Sequence, residues 1–164
     1  MGREHGVPGG VGYAAARLGT GETVAALAIV NATGDVIGSD GSTLAGLPDD
    51  ESGAPRRSAE LIAGLSESPE WSPREAREGT TLICLMTDVA LDKLAANKVA
   101  RMASAGIARA VDPVFTPFDG DIVFCLASGG PGGDSWSVLR TGTLAASVTA
   151  DAIRDAIAAS NPGE

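Results

Sequence analysis

Three apolar runs constrain what this chain can fold into: residues 23–30, 80–86 and 122–127. None alternates apolar with polar residues, so none reads as a strand with one wet face. β-Branched and aromatic residues (Val24, Ile29, Val30; Thr80, Thr81, Ile83; Ile122, Val123, Phe124) mark all three as buried strands rather than short helices. Two stretches carry helical periodicity instead. Over 90–110, Leu91, Leu94, Ala95, Met102 and Ala105 form an apolar face, with Lys93, Asn97, Lys98 and Arg101 mostly elsewhere. Over 144–159, Val148, Ala152, Ile153 and Ile157 face inward. Strands this apolar, mixed with amphipathic helices, imply an α/β (α+β) chain whose sheet is covered on both faces. At 164 residues it is a single domain or part of one.

The connecting segments are less patterned. Gly9-Gly10-Val11-Gly12-Tyr13-Ala14 opens a glycine-dense, small-residue stretch. Residues 31–35 read as a turn, and Val36-Ile37 as the start of a partner strand. Residues 38–57 read as a loop rich in Gly, Ser, Asp and Pro. A short helix over 58–65 has Ser58 as its cap and Leu61, Ile62 and Leu65 on one face. Residues 66–79 are polar, with Pro69 and Pro73, and Arg74 to Glu78 read as solvated surface. Asp88 is placed to cap the helix over 90–110, and 128–134 is a glycine-rich loop. No repeat of solenoid period is present.

Charge narrows the partners. Twelve Lys and Arg against 21 Asp and Glu leave −9, which opposes binding to nucleic acid or to an anionic membrane surface. The longest apolar run is far short of the roughly 20 residues that span a bilayer. The stretch from Met1 to Gly6 is not of signal-peptide type, and Gly2 lacks the downstream Ser or Thr of a myristoylation site. Cys84 and Cys125 lie inside apolar runs and read as buried thiols in a reducing cytoplasm, although one disulfide is compatible with the sequence.

His5 is the one histidine, so a Ser-His-Asp or Cys-His arrangement has little support. No Cys or His spacing suggests zinc, and Gly9-Gly10-Val11-Gly12 lacks the ending of a phosphate-binding loop. The expectation is therefore no metal and no cofactor. Two local features remain. Gly79-Thr80-Thr81 runs from a polar segment directly into a strand. If the Gly79–Thr80 bond breaks, the new α-amine, with an ordinary pKa of about 7.7–8.0, can act as general base for the Thr80 hydroxyl. The plainer reading is that Thr80 merely begins a strand. Asp119-Gly120-Asp121 precedes another strand, and in extended backbone both acids point the same way. They can orient a nucleophile, hold an ammonium group or share a proton. The plainer reading is a turn capped by Asp119 with Gly120 at positive φ.

Taken together, these segments resemble one family. They are Gly79-Thr80-Thr81-Leu82, Thr87-Asp88, Gly106-Ile107-Ala108-Arg109-Ala110, Asp112-Pro113-Val114, and the run from Thr116 through Asp119-Gly120-Asp121 to Phe124. Gly9-Gly10-Val11-Gly12, Thr23 to Leu27, and Val30-Asn31-Ala32-Thr33-Gly34-Asp35-Val36 agree in the first half. The family is that of the self-processing L-aminopeptidase/D-esterases, which includes β-peptidyl aminopeptidases and the nylon-oligomer endo-hydrolase. The likeness covers nearly the whole chain except residues 39–78.

The resemblance implies an N-terminal-nucleophile hydrolase with an αββα sandwich, incomplete in this chain. Residues 1–79 would precede the self-cleavage site at Gly79–Thr80, and residues 80–164 would bear the nucleophile. Thr80 would attack an amide and form an acyl-enzyme that water hydrolyses. Asn31 matches the asparagine that helps stabilise the oxyanion, and Asp119 and Asp121 match an acidic pair that supports the nucleophile. The substrate would be a small amide or peptide. The chain departs from the family at Pro8, where a lysine is usual, at Phe115, where a histidine is usual, and at Gly79, where the residue before the nucleophile is often Asn, although Gly is tolerated in the serine branch. It also lacks the long family segment before Gly9-Gly10, which supplies strands and part of the pocket. Homo-oligomers or a complementary N-terminal chain are therefore expected. A non-catalytic or partner-dependent subunit is one alternative, and an acyltransferase of related architecture is another.

Overall fold

The computed structural model describes residues 7–48, 50, 56–67 and 79–160. Its elements run β1 (Gly10–Arg17), β2 (Thr23–Asn31), β3 (Asp35–Ile37), β4 (Thr43–Ala45), α1 (Ser58–Gly64), β5 (Thr80–Thr87), α2 (Lys93–Ala110), β6 (Val111–Asp112), β7 (Ile122–Ala127) and α3 (Ser135–Ser160). The main sheet has the order β1-β2-β5-β7, with β5 and β7 parallel and the other pairs antiparallel. A small sheet, β4-β3-β6, sits beside it. His5 and the stretch from Arg74 to Glu78 lie outside the described residues.

The three apolar runs are the three inner and edge strands expected, but the covering differs. Helices α2 and α3 pack on one face only. Val24, Ala26, Ala28, Val30, Ile83 and Leu85 point into that face and are buried with Val99, Ala103, Ile107, Ile153 and Ile157. The strand alternation puts Val11, Tyr13, Leu27, Ile29, Met86, Ile122, Phe124 and Leu126 on the opposite face, where all are exposed, Leu126 at 60% and Val11 at 57%. Coverage on both faces is therefore corrected: this chain builds one α layer and one β layer, half of an αββα arrangement. Apolar patches of this kind mark surfaces meant to be covered.

The glycine-dense start is a strand rather than an irregular stretch. A Cβ on Gly12 would overlap the Ala152 carbonyl oxygen and the Ala156 nitrogen, and one on Gly10 would overlap the Ser160 hydroxyl. The glycines let α3 lie directly on the β1 backbone, and Asp155 accepts the Tyr13 N–H at 2.8 Å from the same helix. Helix α3 begins nine residues before Leu144, where the sequence placed its start. Gly142, a poor helix former, hides that first stretch. It is there because the Met102 side chain of α2 fills the space a Cβ would need.

Other expectations shift for identifiable reasons. Asp92, not Asp88, caps α2, accepting the Ala95 N–H at 2.7 Å. Of the expected face Leu91 and Ala95 are buried and Met102 half-buried, but Leu94 and Ala105 are exposed, and Val99, Ala103, Gly106 and Ile107 complete the buried stripe. Ser58 does not cap α1. Its N–H and hydroxyl both donate to Asp35, a buried carboxylate that also takes the Leu47 N–H at 3.4 Å and so ties this region to β3. Of the apolar residues in and after α1, Leu61 is half-buried while Ile62 and Leu65 are exposed. Residues 38–57 contain the short strand β4. Cys84 and Cys125 are free and half-buried rather than fully buried, and the pleat puts them on opposite faces of the sheet.

Candidate active site

Every candidate residue collects at one end of the main sheet, with Asn31 and Thr80 on its open face. Asn31 ends β2 and Thr80 begins β5, and the two are direct partners across the antiparallel ladder. Antiparallel partners share a face, so both belong to the open side. Gly79 forms a parallel bridge with Asp119, which brings the Asp119-Gly120-Asp121 turn against the start of β5. The topology does this: β7 runs parallel beside β5, so the segment entering β7 lies next to the segment entering β5.

The scissile candidate is held at its carbonyl. The Thr80 hydroxyl donates to the Gly79 carbonyl oxygen at 2.6 Å, and the Gly120 N–H donates to the same oxygen at 3.0 Å. Gly120 does not take up a positive φ. Its smallness serves contact instead, because a Cβ there would come 3.0 Å from Thr80 Oγ1.

The two acids divide the work. Asp121 accepts the Thr81 N–H at 2.7 Å through Oδ1 and the Phe115 N–H at 3.2 Å through Oδ2. It is a clamp between the strand that carries the candidate nucleophile and the loop that precedes it. Phe115 has φ 55°, the left-handed region that disfavours a bulky side chain, and the clamp holds it there. Asp119 accepts the Thr116 hydroxyl at 2.6 Å and the Thr116 N–H at 3.2 Å, both through Oδ2. Its other oxygen, Oδ1, lies against Gly79, where a Cβ would overlap it together with Thr33 Oγ1. Each carboxylate thus serves its own donors, which favours orientation over a shared proton.

A cavity of about 540 Å³ opens beside Asn31 and Thr33 and is also lined by Asp35, Arg56 and Ser58. A second, of about 370 Å³, lies at the far end of β5 between Thr23, Met86 and Ser128, remote from Thr80. Among the described residues no group of three or more His, Cys, Asp or Glu could hold a metal ion, and no helix is long and apolar enough to cross a membrane.

The sequence did not point to Thr33, Thr116 or the Gly120 N–H. Thr116 had a signal, since Thr followed three residues later by Asp is the spacing of a local side-chain-to-backbone turn. Thr33 had none, because it meets Gly79 across 46 residues of chain.

The sequence profile of Peptidase family S58 matches residues 2–162. The chain belongs to that family. An uncharacterized aminopeptidase of Mycobacterium leprae is 41% identical over 126 residues, 74% of this chain and 33% of that protein. A Mycobacterium tuberculosis protein of the same description is 40% identical over 127 residues. This S58 chain therefore spans about a third of the length of the curated relatives it matches. Among solved structures, a β-aminopeptidase of a Burkholderia species superposes with a TM-score of 0.61 at 22% identity, over 93% of this chain and 42% of that one. The L-aminopeptidase D-Ala-esterase/amidase of Ochrobactrum anthropi, described as a variant of the Ntn hydrolase fold, gives 0.53 at 18% identity, over 93% and 40%. These last two likenesses are of fold, and their partial coverage matches an S58 chain that supplies two of four layers.

Proposed function

We propose that this S58 chain is the nucleophile-bearing part of a self-cleaving amide or peptide hydrolase of aminopeptidase type, acting through an acyl-enzyme on Thr80. One observation carries the reading: the Thr80 hydroxyl is bonded to the carbonyl of the residue it would be severed from, while the Gly120 N–H polarises the same oxygen. In self-cleavage, Thr80 Oγ1 adds to the Gly79 carbonyl carbon and the Gly79–Thr80 C–N bond breaks. The proton of the hydroxyl ends on the Thr80 nitrogen. Water then hydrolyses the ester, releasing the Gly79 carboxylate and restoring the hydroxyl beside a free α-amine. That amine takes the hydroxyl proton in later turnovers. Asn31, across the ladder from Thr80, is suited to donate to the oxyanion, a contribution of about 2.7–4 kcal/mol where one such donor has been removed elsewhere. Asp121 keeps the strand start in place, and Asp119 faces the position Gly79 occupies.

The bare sheet face and the greater length of the curated relatives support completion of the site by a further polypeptide. A complementary N-terminal segment fits both observations, and a second copy of this chain is the other candidate. Two free thiols suit a reducing, cytoplasmic setting.

The test is the intact mass of the denatured protein beside its Thr80→Ala variant. Two fragments from the first, the second beginning at Thr80, with one uncut species from the variant, are expected. An uncut species from both sinks self-cleavage by this chain and leaves a non-catalytic or partner-dependent subunit. Fragments from both would remove Thr80 as the nucleophile.

A further inference from the structure

The open face of the main sheet is a grid of side chains. Ladder partners set Tyr13, Leu27, Cys84 and Phe124 in one row across all four strands. The row from Val11 to Ile122 lies on one side of it, and the row from Ala15 to Leu126 on the other. Eight of these twelve residues are large apolar side chains, 36–60% exposed. Polar residues close the grid at both ends. Asn31 and Thr80 follow the first flanking row. Arg17, Thr23, Asp88 and Ser128 follow the second, and the last three of these line the 370 Å³ cavity there. Arg17 is the one charged residue in the four strands. An apolar centre with a polar rim is the anatomy of a protein interface. At ordinary sheet spacings five rows on four strands cover roughly 20 Å by 30 Å. That footprint, on the order of 600 Å² before side-chain relief is counted, approaches the roughly 800 Å² per partner of a stable dimer.

We infer that this face is a self-association surface, on which two copies of the chain stack sheet on sheet about a two-fold axis running along the strands between β2 and β5. Aligned sheets pack in this way, about 10 Å apart and crossing at about 30°. The axis lays β1 of each copy over β7 of the other, and β2 over β5. Apolar rows then meet apolar rows. Arg17 of each copy comes over the rim that holds Asp88 and Ser128 of the other, cation towards anion. A two-fold axis across the strands would instead carry Asp88 over the Thr80 end, which already holds Asp119 and Asp121, acid towards acid. Charge therefore selects the first arrangement. Both Thr80 ends lie at the same end of such a dimer, so each copy walls the other's candidate site. The inference names the further polypeptide invoked above, but it uses no chemistry of Thr80: an uncut dimer supports it, and a cut monomer overturns it.

The test is sedimentation equilibrium of the purified chain beside Leu27→Asp, Arg17→Asp, Asp88→Arg and the combined Arg17→Asp/Asp88→Arg, with circular dichroism of each. A reversible dimer is expected. Leu27→Asp, at the centre, should weaken it by about thirtyfold or more, the level of a hot-spot residue. Each single charge reversal should weaken it several-fold, and the combination should recover that loss, which misfolding would not do. A monomer at every concentration overturns the inference, including one whose Cys84 resists alkylation because another segment of the same polypeptide covers the face. A dimer that a folded Leu27→Asp leaves intact also overturns it, since the interface then lies elsewhere. Single reversals without recovery in the combination overturn the orientation, and open-ended assemblies larger than a dimer overturn the closed two-fold stack.

Discussion

Replacing Asp121 by Asn tests whether the acid acts as a clamp. The native carboxylate accepts two backbone N–H groups, from Thr81 at 2.7 Å and from Phe115 at 3.2 Å. An asparagine of the same shape has one acceptor oxygen. Its amide group must then face the other N–H, donor against donor. A hydrogen bond to a charged group contributes about 1.5–3 kcal/mol and a neutral one about 0.5–1.5. The shorter bond to Thr81 weakens to the neutral value, a loss of about 1 kcal/mol. The bond to Phe115 goes, but Phe115 is 50% exposed and water replaces part of it, which leaves a loss of about 1–2 kcal/mol. The sum is about 2–3 kcal/mol, and at about 2–4 °C per kcal/mol for a chain of this size the melting temperature should fall by about 4–12 °C.

The assay is thermal unfolding followed by circular dichroism, with Thr116→Ala as the comparison. Thr116 serves Asp119 and leaves the Asp121 clamp untouched. Self-cleavage is followed below both transitions, so that loss of fold and loss of processing are read separately. Asp121→Asn should slow processing while folded, because the Thr81 N–H adjoins the nucleophile. A midpoint within about 1 °C of the wild type would refute the clamp, since even one neutralised bond to a charged acceptor exceeds that shift.

Four further outcomes follow from the packing. Gly12→Ala should push α3 off β1 and cost about 1–3 kcal/mol or more, read as a lower urea midpoint at unchanged slope; an unchanged midpoint would show that α3 does not lie directly on that backbone. Arg154→Lys should lose about 1–2 kcal/mol, because the guanidinium reaches both the Ile37 and Arg109 carbonyl oxygens, at 3.1 and 3.0 Å, and an ammonium cannot span both; the exposed ion pair to Asp151 adds little. Burial first, and then the neighbouring Cys84, raise the Cys125 thiol above its ordinary pKa. A raised value means less thiolate at neutral pH, so Cys125 should alkylate slowly there and gain rate as the pH rises. Mass mapping should also show that a polypeptide covering the open sheet face protects Cys84 and not Cys125.

What the sequence showed clearly was strand and helix identity, because uninterrupted apolar runs and a 3.6-residue period are local signals. What it hid was local glycine with a distant cause. Gly10 and Gly12 look like turn residues until α3 is seen lying on them, and Gly142 looks like a helix stop until Met102 is seen filling its place. The same rule governs the site. Thr80, Asp119 and Asp121 stand out as local features and Asn31 through a family likeness, and the ladder does bring them to one end of one sheet. Which acid touches which group depended on a parallel strand pair, β5 and β7, whose partners are 40 residues apart. No periodicity encodes that distance.

The expectation of a sheet covered on both faces failed for a different reason. Strand composition reports the burial a strand is built for, whichever polypeptide provides it. Leu27, Ile29, Leu82, Met86 and Phe124 are as apolar as the residues beneath α2 and α3, yet all but half-buried Leu82 are exposed here. Fully burying an exposed aliphatic or aromatic side chain is worth about 1.5–3 kcal/mol, so covering this face would add part of that value for each of these half-exposed side chains. Thr80 and Asn31 stand at the end of that face, not behind it. A polypeptide covering the sheet would therefore also supply a wall for the candidate nucleophile. Covering the sheet and completing the site would then be one event, and any gain in thermal stability on adding the covering segment should appear together with the change in catalytic rate.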